Sequence, residues 1–112
     1  LIIETTEALE DLEAIASEPG IDVIMLGPWD MSLSLGLDPR KLPLPEIDGV
    51  LERMLEVGRK TGVAVGSSAS TPITLAEAQS KGITFIPYGS DYSCLAEFAR
   101  TGLKAFRGAP LD

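Results

Sequence analysis

The segment DVIMLGPWDMSLSLG, Asp22 to Gly36, runs an apolar stretch into a Gly-Pro pair and then presents one carboxylate, Asp30. A turn is satisfied by Asn, Ser or Gly. A lone Asp here therefore either caps the helix that follows or supplies a negative charge that something else requires. A second carboxylate, Glu4, ends the apolar LII that opens the chain. Thr5 and Thr6 are better caps than Glu4 for the helix after it, whereas Asp30, with Ser32 and Ser34 nearby, keeps both readings open. Two carboxylates at the ends of neighbouring strands repel each other, and a divalent cation or a shared proton relieves that repulsion. Two more polar ends follow. GSSAS offers Ser67, Ser68 and Ser70, which could present hydroxyls and N–H groups to an anion or simply form a polar rim. YGSD offers Asp91, whose simplest reading is the N-cap of the last helix.

The elements that must position these groups alternate in type. Short β-rich apolar runs fall at Leu1 to Ile3, Ile21 to Leu26, Val63 to Val65 and Ile83 to Ile86, each followed by a helical pattern. TTEALEDLEAIASEPG puts Leu9, Leu12 and Ile15 on one face, with a Thr cap in front and Pro19-Gly20 as the stop. PEIDGVLERMLEVGRKTG puts Ile47, Val50, Leu51, Met54 and Leu55 inward, with basic residues in its last turn and Gly62 after it. TPITLAEAQSKG and DYSCLAEFARTGLKAF supply the third and fourth helices, and LDPRKLPLP, rich in proline, reads as a loop. Strands without polar alternation, separated by helices, indicate a parallel sheet, and the chemistry of such folds sits at the carboxyl ends of the strands. Residues 1–112 thus read as a single α/β domain of four βα units. That is half of a (β/α)8 TIM barrel with helices outside, or a small open sheet. Half a barrel exposes two strand edges, which favours further units before Leu1.

Composition removes several classes. A net charge of −8 opposes phosphodiester backbones and anionic lipid, so neither nucleic acid nor a membrane surface is expected as a partner. No apolar stretch approaches the roughly 18 residues of a transmembrane helix, and the start lacks the basic residues of a signal peptide. The expectation is a soluble, cytoplasmic protein. Cys94, the only cysteine, has no histidine anywhere to partner it and reads as a buried structural residue.

IETTEALEDLEAIASEPGIDVIMLGPWDMSLSLG resembles the carboxyl-terminal half of the HpcH/HpaI aldolase family, divalent-metal-dependent pyruvate aldolases related to citrate lyase β-subunits. The family's IET.EAL and GP.DLS.SLG strand ends supply its metal-binding Glu and Asp. YGSDYSCL resembles its closing VG.D...L, and the likeness spans nearly the whole chain. The resemblance implies the last four βα units of a (β/α)8 barrel, with Glu4 and Asp30 holding Mg²⁺ or Mn²⁺. It further implies that the N–H groups of Trp29 and Asp30 meet the carboxylate of a 2-oxo acid, with Gly27, Ser67 and Ser68 lining the same site. The implied reaction cleaves or forms 4-hydroxy-2-oxo acids through a metal-stabilised pyruvate enolate, with an aldehyde as the other substrate. The family's histidine base and its Arg come from the amino-terminal half, so no catalytic residue is expected in this chain. Trp29 stands where the family often has Ala, Ser or Phe, and Ile2 where it often has Gln.

Other classes compete with this reading. A Schiff-base aldolase needs a lysine at a strand end, and Lys41, Lys60, Lys81 and Lys104 fall in loops or helices. A phosphate-binding barrel half suits the Gly-rich ends of the last two strands, but no Lys or Arg stands near them. A non-catalytic barrel fragment or assembly module is the remaining alternative. The last helix carries Leu95, Phe98 and Ala99 on one stripe that continues through Leu103 and Phe106, more apolar surface than one strand needs. In the resembled family that helix packs on a neighbouring subunit, which implies a homo-oligomer.

Overall fold

The structure, a computed structural model, describes residues 1–68 and 72–108. Its sheet has three parallel strands in the order of the sequence: β1 (Ile2–Ile3), β2 (Val23–Leu26) and β3 (Ala64–Gly66). The register sets Ile3 opposite Leu26 and Ile24 opposite Val65. Parallel neighbours require crossovers, which helices supply here. Along β2, Ile24 and Leu26 are buried under the helices, while Val23 and Met25 on the opposite face are only partly covered.

The fourth expected strand is reduced to one parallel bridge, Gly66 with Phe85, supported by bonds from Thr84 N–H to the Val65 carbonyl (3.0 Å) and from Ser67 N–H to that of Phe85 (3.2 Å). Pro87 lacks an N–H and gives the ladder no donor at that position.

The first helical stretch is also split, into α1 (Thr6–Glu10) and α2 (Leu12–Ala16). Asp11 between them, at φ −90° and ψ 12°, is a poor helix former, yet its N–H still bonds the Glu7 carbonyl and its carbonyl still accepts from Ile15. The inward stripe survives: Leu12 is fully buried, and Leu9 and Ile15 pack against the core. Thr5 caps α1, as its position suggests, by accepting from Ala8 N–H at 3.2 Å.

After β2 come α3 (Pro28–Ser34), a 3-10 turn (Pro39–Lys41) inside the proline-rich loop, and α4 (Pro45–Thr61). Asp38 caps the turn and pairs with Arg40 through both carboxylate oxygens, at 2.8 and 2.9 Å, which holds its carboxyl below the usual carboxylate range. Proline at N1, acids in the first turn, Arg59 and Lys60 in the last, and Gly62 at φ 84° define α4. Its buried residues are the five expected ones joined by Val57 and Gly58. A side chain at Gly58 would begin 2.6 Å from Val65 Cγ2 and 2.9 Å from the Val63 carbonyl oxygen, so the missing Cβ is what lets α4 lie against β3.

Beyond β3 lie α5 (Pro72–Ser80) and α6 (Asp91–Phe106). α6 runs through Gly102 to Phe106 as its apolar pattern requires, but none of its residues is buried; Phe98 is 82% and Phe106 89% exposed. Cys94 is accordingly exposed and not the buried structural residue expected, because among the described residues nothing buries the helix that carries it. Ser90, not Asp91, is the N-cap, in a reciprocal capping box with Ser93. Asp91 occupies the first helical position. Among the described residues no helix is long and apolar enough to cross a membrane.

Gly58→Ala should destabilise the protein by about 1–3 kcal/mol through overpacking against β3. A urea unfolding midpoint equal to the parent's would show that α4 and β3 do not depend on this contact.

Candidate active site at the carboxyl edge of the sheet

β1 and β2 run parallel and in register, so the residues after Ile3 and Leu26 emerge at the same edge. Glu4 is the first residue past β1 and is partly buried. Gly27 is the first past β2, and its N–H donates to the Ile3 carbonyl at 3.0 Å, closing the ladder. A Cβ on Gly27 would lie 2.9 Å from Glu4 Cβ, 3.0 Å from Glu4 Oε2 and 3.0 Å from Ile2 Cγ2. The Glu4 carboxylate thus occupies room that any other residue at 27 would fill.

Gly27 is the N-cap of α3, Pro28 its first residue and Asp30 its third, so the helix-cap reading of Asp30 is incorrect. The cap role falls to Gly27 because the chain turns into the helix at the Gly-Pro pair, three residues before Asp30. Asp30 stands exposed in the first turn, where the helix dipole favours an anion. The first intrahelical bond runs from Met31 N–H to the Gly27 carbonyl, which leaves the N–H groups of Trp29 and Asp30 without an acceptor inside the helix. Among the described residues neither Glu4 nor Asp30 has a side-chain hydrogen bond or an ion pair. Nearby Glu7 has its carboxyl lowered by a bond from its own backbone N–H and by the Thr5 and Thr6 hydroxyls.

One contact that the sequence does not announce ties these parts together. Ser34 Oγ accepts from Thr6 N–H at 2.9 Å and lies 3.2 Å from Thr6 Oγ1. Residues four apart share a helix face, so Asp30 and Ser34 both lie on the side of α3 turned toward the β1–α1 junction that carries Glu4. The SLS spacing after Asp30 was legible; that Ser34 would satisfy a donor twenty-eight residues earlier was not.

Ser67 and Ser68 follow β3 at the same edge but line a separate cleft of about 380 Å³ with Pro28, Leu42, Leu44 and Ile47, a lining that includes neither Glu4 nor Asp30. Ser70 lies outside the described residues. Trp29 is 52% exposed beside Asp30. Lys41, Lys60, Lys81 and Lys104 fall in the 3-10 turn, in α4, after α5 and in α6, none at a strand end.

The donor set fits a hard divalent cation, which takes oxygen ligands. Two carboxylates share one edge, space beside Glu4 is kept by Gly27, and no histidine or thiol competes nearby. Among the described residues no group of three or more His, Cys, Asp or Glu side chains is close enough to hold a metal.

The sequence model described as HpcH/HpaI aldolase/citrate lyase matches residues 1–97. A hydroxypyruvate/pyruvate aldolase of Cupriavidus necator is 34% identical over 109 residues, covering 97% of this chain and 40% of that protein. A 2-keto-3-deoxy-L-rhamnonate aldolase of Salmonella paratyphi B is 32% identical over 105 residues, covering 94% and 39%. The crystal structure of an HpcH/HpaI aldolase/citrate lyase family protein from Burkholderia cenocepacia superposes with a TM-score of 0.83 at 31% identity, over 95% of this chain and 41% of that one. The chain therefore spans about two fifths of the length of these relatives, and its α/β fold is that of part of a TIM barrel.

Asp30→Asn should change folding stability by less than about 1 kcal/mol, because only the helix-dipole interaction is lost. Gly27→Ala should cost about 1–3 kcal/mol by overpacking. A larger loss for Asp30→Asn in urea unfolding would make Asp30 a structural residue.

Proposed function

The chain belongs to the HpcH/HpaI aldolase/citrate lyase family, and from that premise we propose that it forms the metal- and 2-oxo-acid-binding part of a (β/α)8 aldolase acting on 4-hydroxy-2-oxo acids. The observation that carries the reading is the placement of Glu4 and Asp30 past the ends of paired parallel strands, with Gly27 leaving space beside the Glu4 carboxylate. The names of the relatives support the reaction class: one is a hydroxypyruvate/pyruvate aldolase, another a 2-keto-3-deoxy-L-rhamnonate aldolase.

In this reading Glu4 and Asp30 would hold Mg²⁺ or Mn²⁺ through their carboxylate oxygens. A bound cation supplies Lewis-acid stabilisation of the negative charge that develops on the ketone oxygen as the carbon–carbon bond breaks. The N–H groups of Trp29 and Asp30 receive the carboxylate of pyruvate, and the dipole of α3 favours its charge. Ser67 and Ser68, expected to line the same site, face the separate cleft and are given no substrate contact in this reading. The family resemblance implies that the proton-transferring base and the Arg of the reaction come from the amino-terminal half of the barrel; this chain itself has no histidine. The domain is the carboxyl-terminal half of that barrel, working in the cytoplasm.

The apolar face of α6 supports assembly of the protein as a homo-oligomer. Tyr92, Leu95, Phe98 and Phe106 are each more than 70% exposed, and a second subunit is the partner we assign to them.

Two tests follow. Calorimetric titration with Mn²⁺ should show affinity falling in Glu4→Gln and in Asp30→Asn by more than the roughly 10- to 100-fold that loss of a supporting partner costs, and rising when pyruvate is present. Parent-like affinity in Asp30→Asn removes Asp30 from the ligand set. Phe106→Asp should lower the sedimentation mass of the protein, because a charge would be buried in the subunit contact; an unchanged assembly assigns α6 to its own barrel.

A further inference from the structure

The geometry points to Ser34 as the positioning residue of this site: its hydroxyl bonds the start of α1 to the end of α3 and thereby sets how far Asp30 stands from Glu4. The inference rests on the metal reading above and concerns how the chain holds its two carboxylates.

α3 is only seven residues long and has few anchors. Met31 and Ser32 are fully buried, but the Ser32 hydroxyl donates back to the Pro28 carbonyl at 2.7 Å, within the helix itself. Trp29 and Leu33, also four apart, point outward and are 52% and 56% exposed. Met31 and Leu35, also four apart, hold the inner side of the helix to the core, and the Ser34 side lies between that inner stripe and solvent. Rotation matters because Asp30 projects from the side of α3. The Ser34 bond to Thr6 N–H is the described polar contact that restrains it.

The donor is as well chosen as the acceptor. Thr6 is the first residue of α1, and an N–H at that position has no acceptor within its helix. Thr5 satisfies Ala8 N–H, leaving Thr6 N–H to an outside partner. Glu4 lies two residues before Thr6 and Asp30 four before Ser34, so the bond closes a short frame that holds both carboxylates.

Mn²⁺ affinity, measured by calorimetry on the protein that contains this chain, tests the assignment together with the urea midpoint. Ser34→Ala should weaken binding about 10-fold, the lower end of what supporting partners cost, and Ser34→Thr should restore it. Thr6→Pro is an independent variant. Proline suits the first helical position, Thr5 is already extended at φ −128° and ψ 157°, and the substitution deletes the donor N–H. It should match Ser34→Ala, and the double variant should bind no more weakly than either single one. Parent-like affinity in both single variants, with binding lost in Glu4→Gln and Asp30→Asn, overturns the positioning role and leaves the metal reading intact. A loss that Ser34→Thr does not restore also overturns it. If Glu4→Gln and Asp30→Asn bind Mn²⁺ like the parent, the metal reading fails and this inference fails with it.

Discussion

The pairing of Ile3 with Leu26 sets where both carboxylates stand. Glu4 and Gly27 are the next residues on their strands, and Gly27 N–H still reaches the Ile3 carbonyl, so the ladder delivers them side by side. A slip of one residue would exchange the faces of β1 and β2, turning Ile24 and Leu26 out of the core and moving Glu4 away from its space beside Gly27. The buried Ile3, Ile24 and Leu26 oppose that slip. The position of the functional groups is thus secured by apolar burial some residues away from them, and no polar contact within the site has to hold the register.

Periodicity made the helices and the first three strands legible, because amphipathic stripes such as Ile47, Val50, Leu51 and Met54 are written locally. What required tertiary context was hidden. The kink at Asp11 leaves the stripe intact, so the apolar pattern cannot register it. That residues 83–86 show a bridge rather than a strand among the described residues depends on which neighbours stand beside them. Cys94 was misread because a small apolar residue on an amphipathic helix is ordinarily inward, whereas α6 has nothing described to face. Of the candidate site, the strand ends that carry Glu4 and Gly27 were legible from the apolar runs before them. The Ser34–Thr6 bond was not, since a hydroxyl meeting a helix N-terminus leaves no periodic trace.

The same device appears on both sides of the sheet. Gly58 lets α4 approach β3, and Gly27 lets the Glu4 side chain lie against the end of β2. Neither glycine has a positive φ among those that do, so neither is present for a turn. Both are selected by what a Cβ would strike. At Gly58 the gain is close packing of a buried helix; at Gly27 it is room for a charged group at a solvent-facing edge.

Asp30 costs the fold little and contributes little to it. In the first turn of α3 it has the favour of the helix dipole, worth about 0.3–1 kcal/mol for an exposed group, but no described partner. Glu4 lacks even that favour. Two anions, one past β1 and one on α3, stand at one edge with no compensating cation among the described residues. In a protein of net charge −8 their negative field is reinforced. In the proposed reading a divalent cation would gain at such a place, because the core already holds the strand ends that lead to the two carboxylates. α3 itself is held to the core by Met31 and Leu35, so the Ser34 bond to the start of α1 acts on a helix whose inner side is already set.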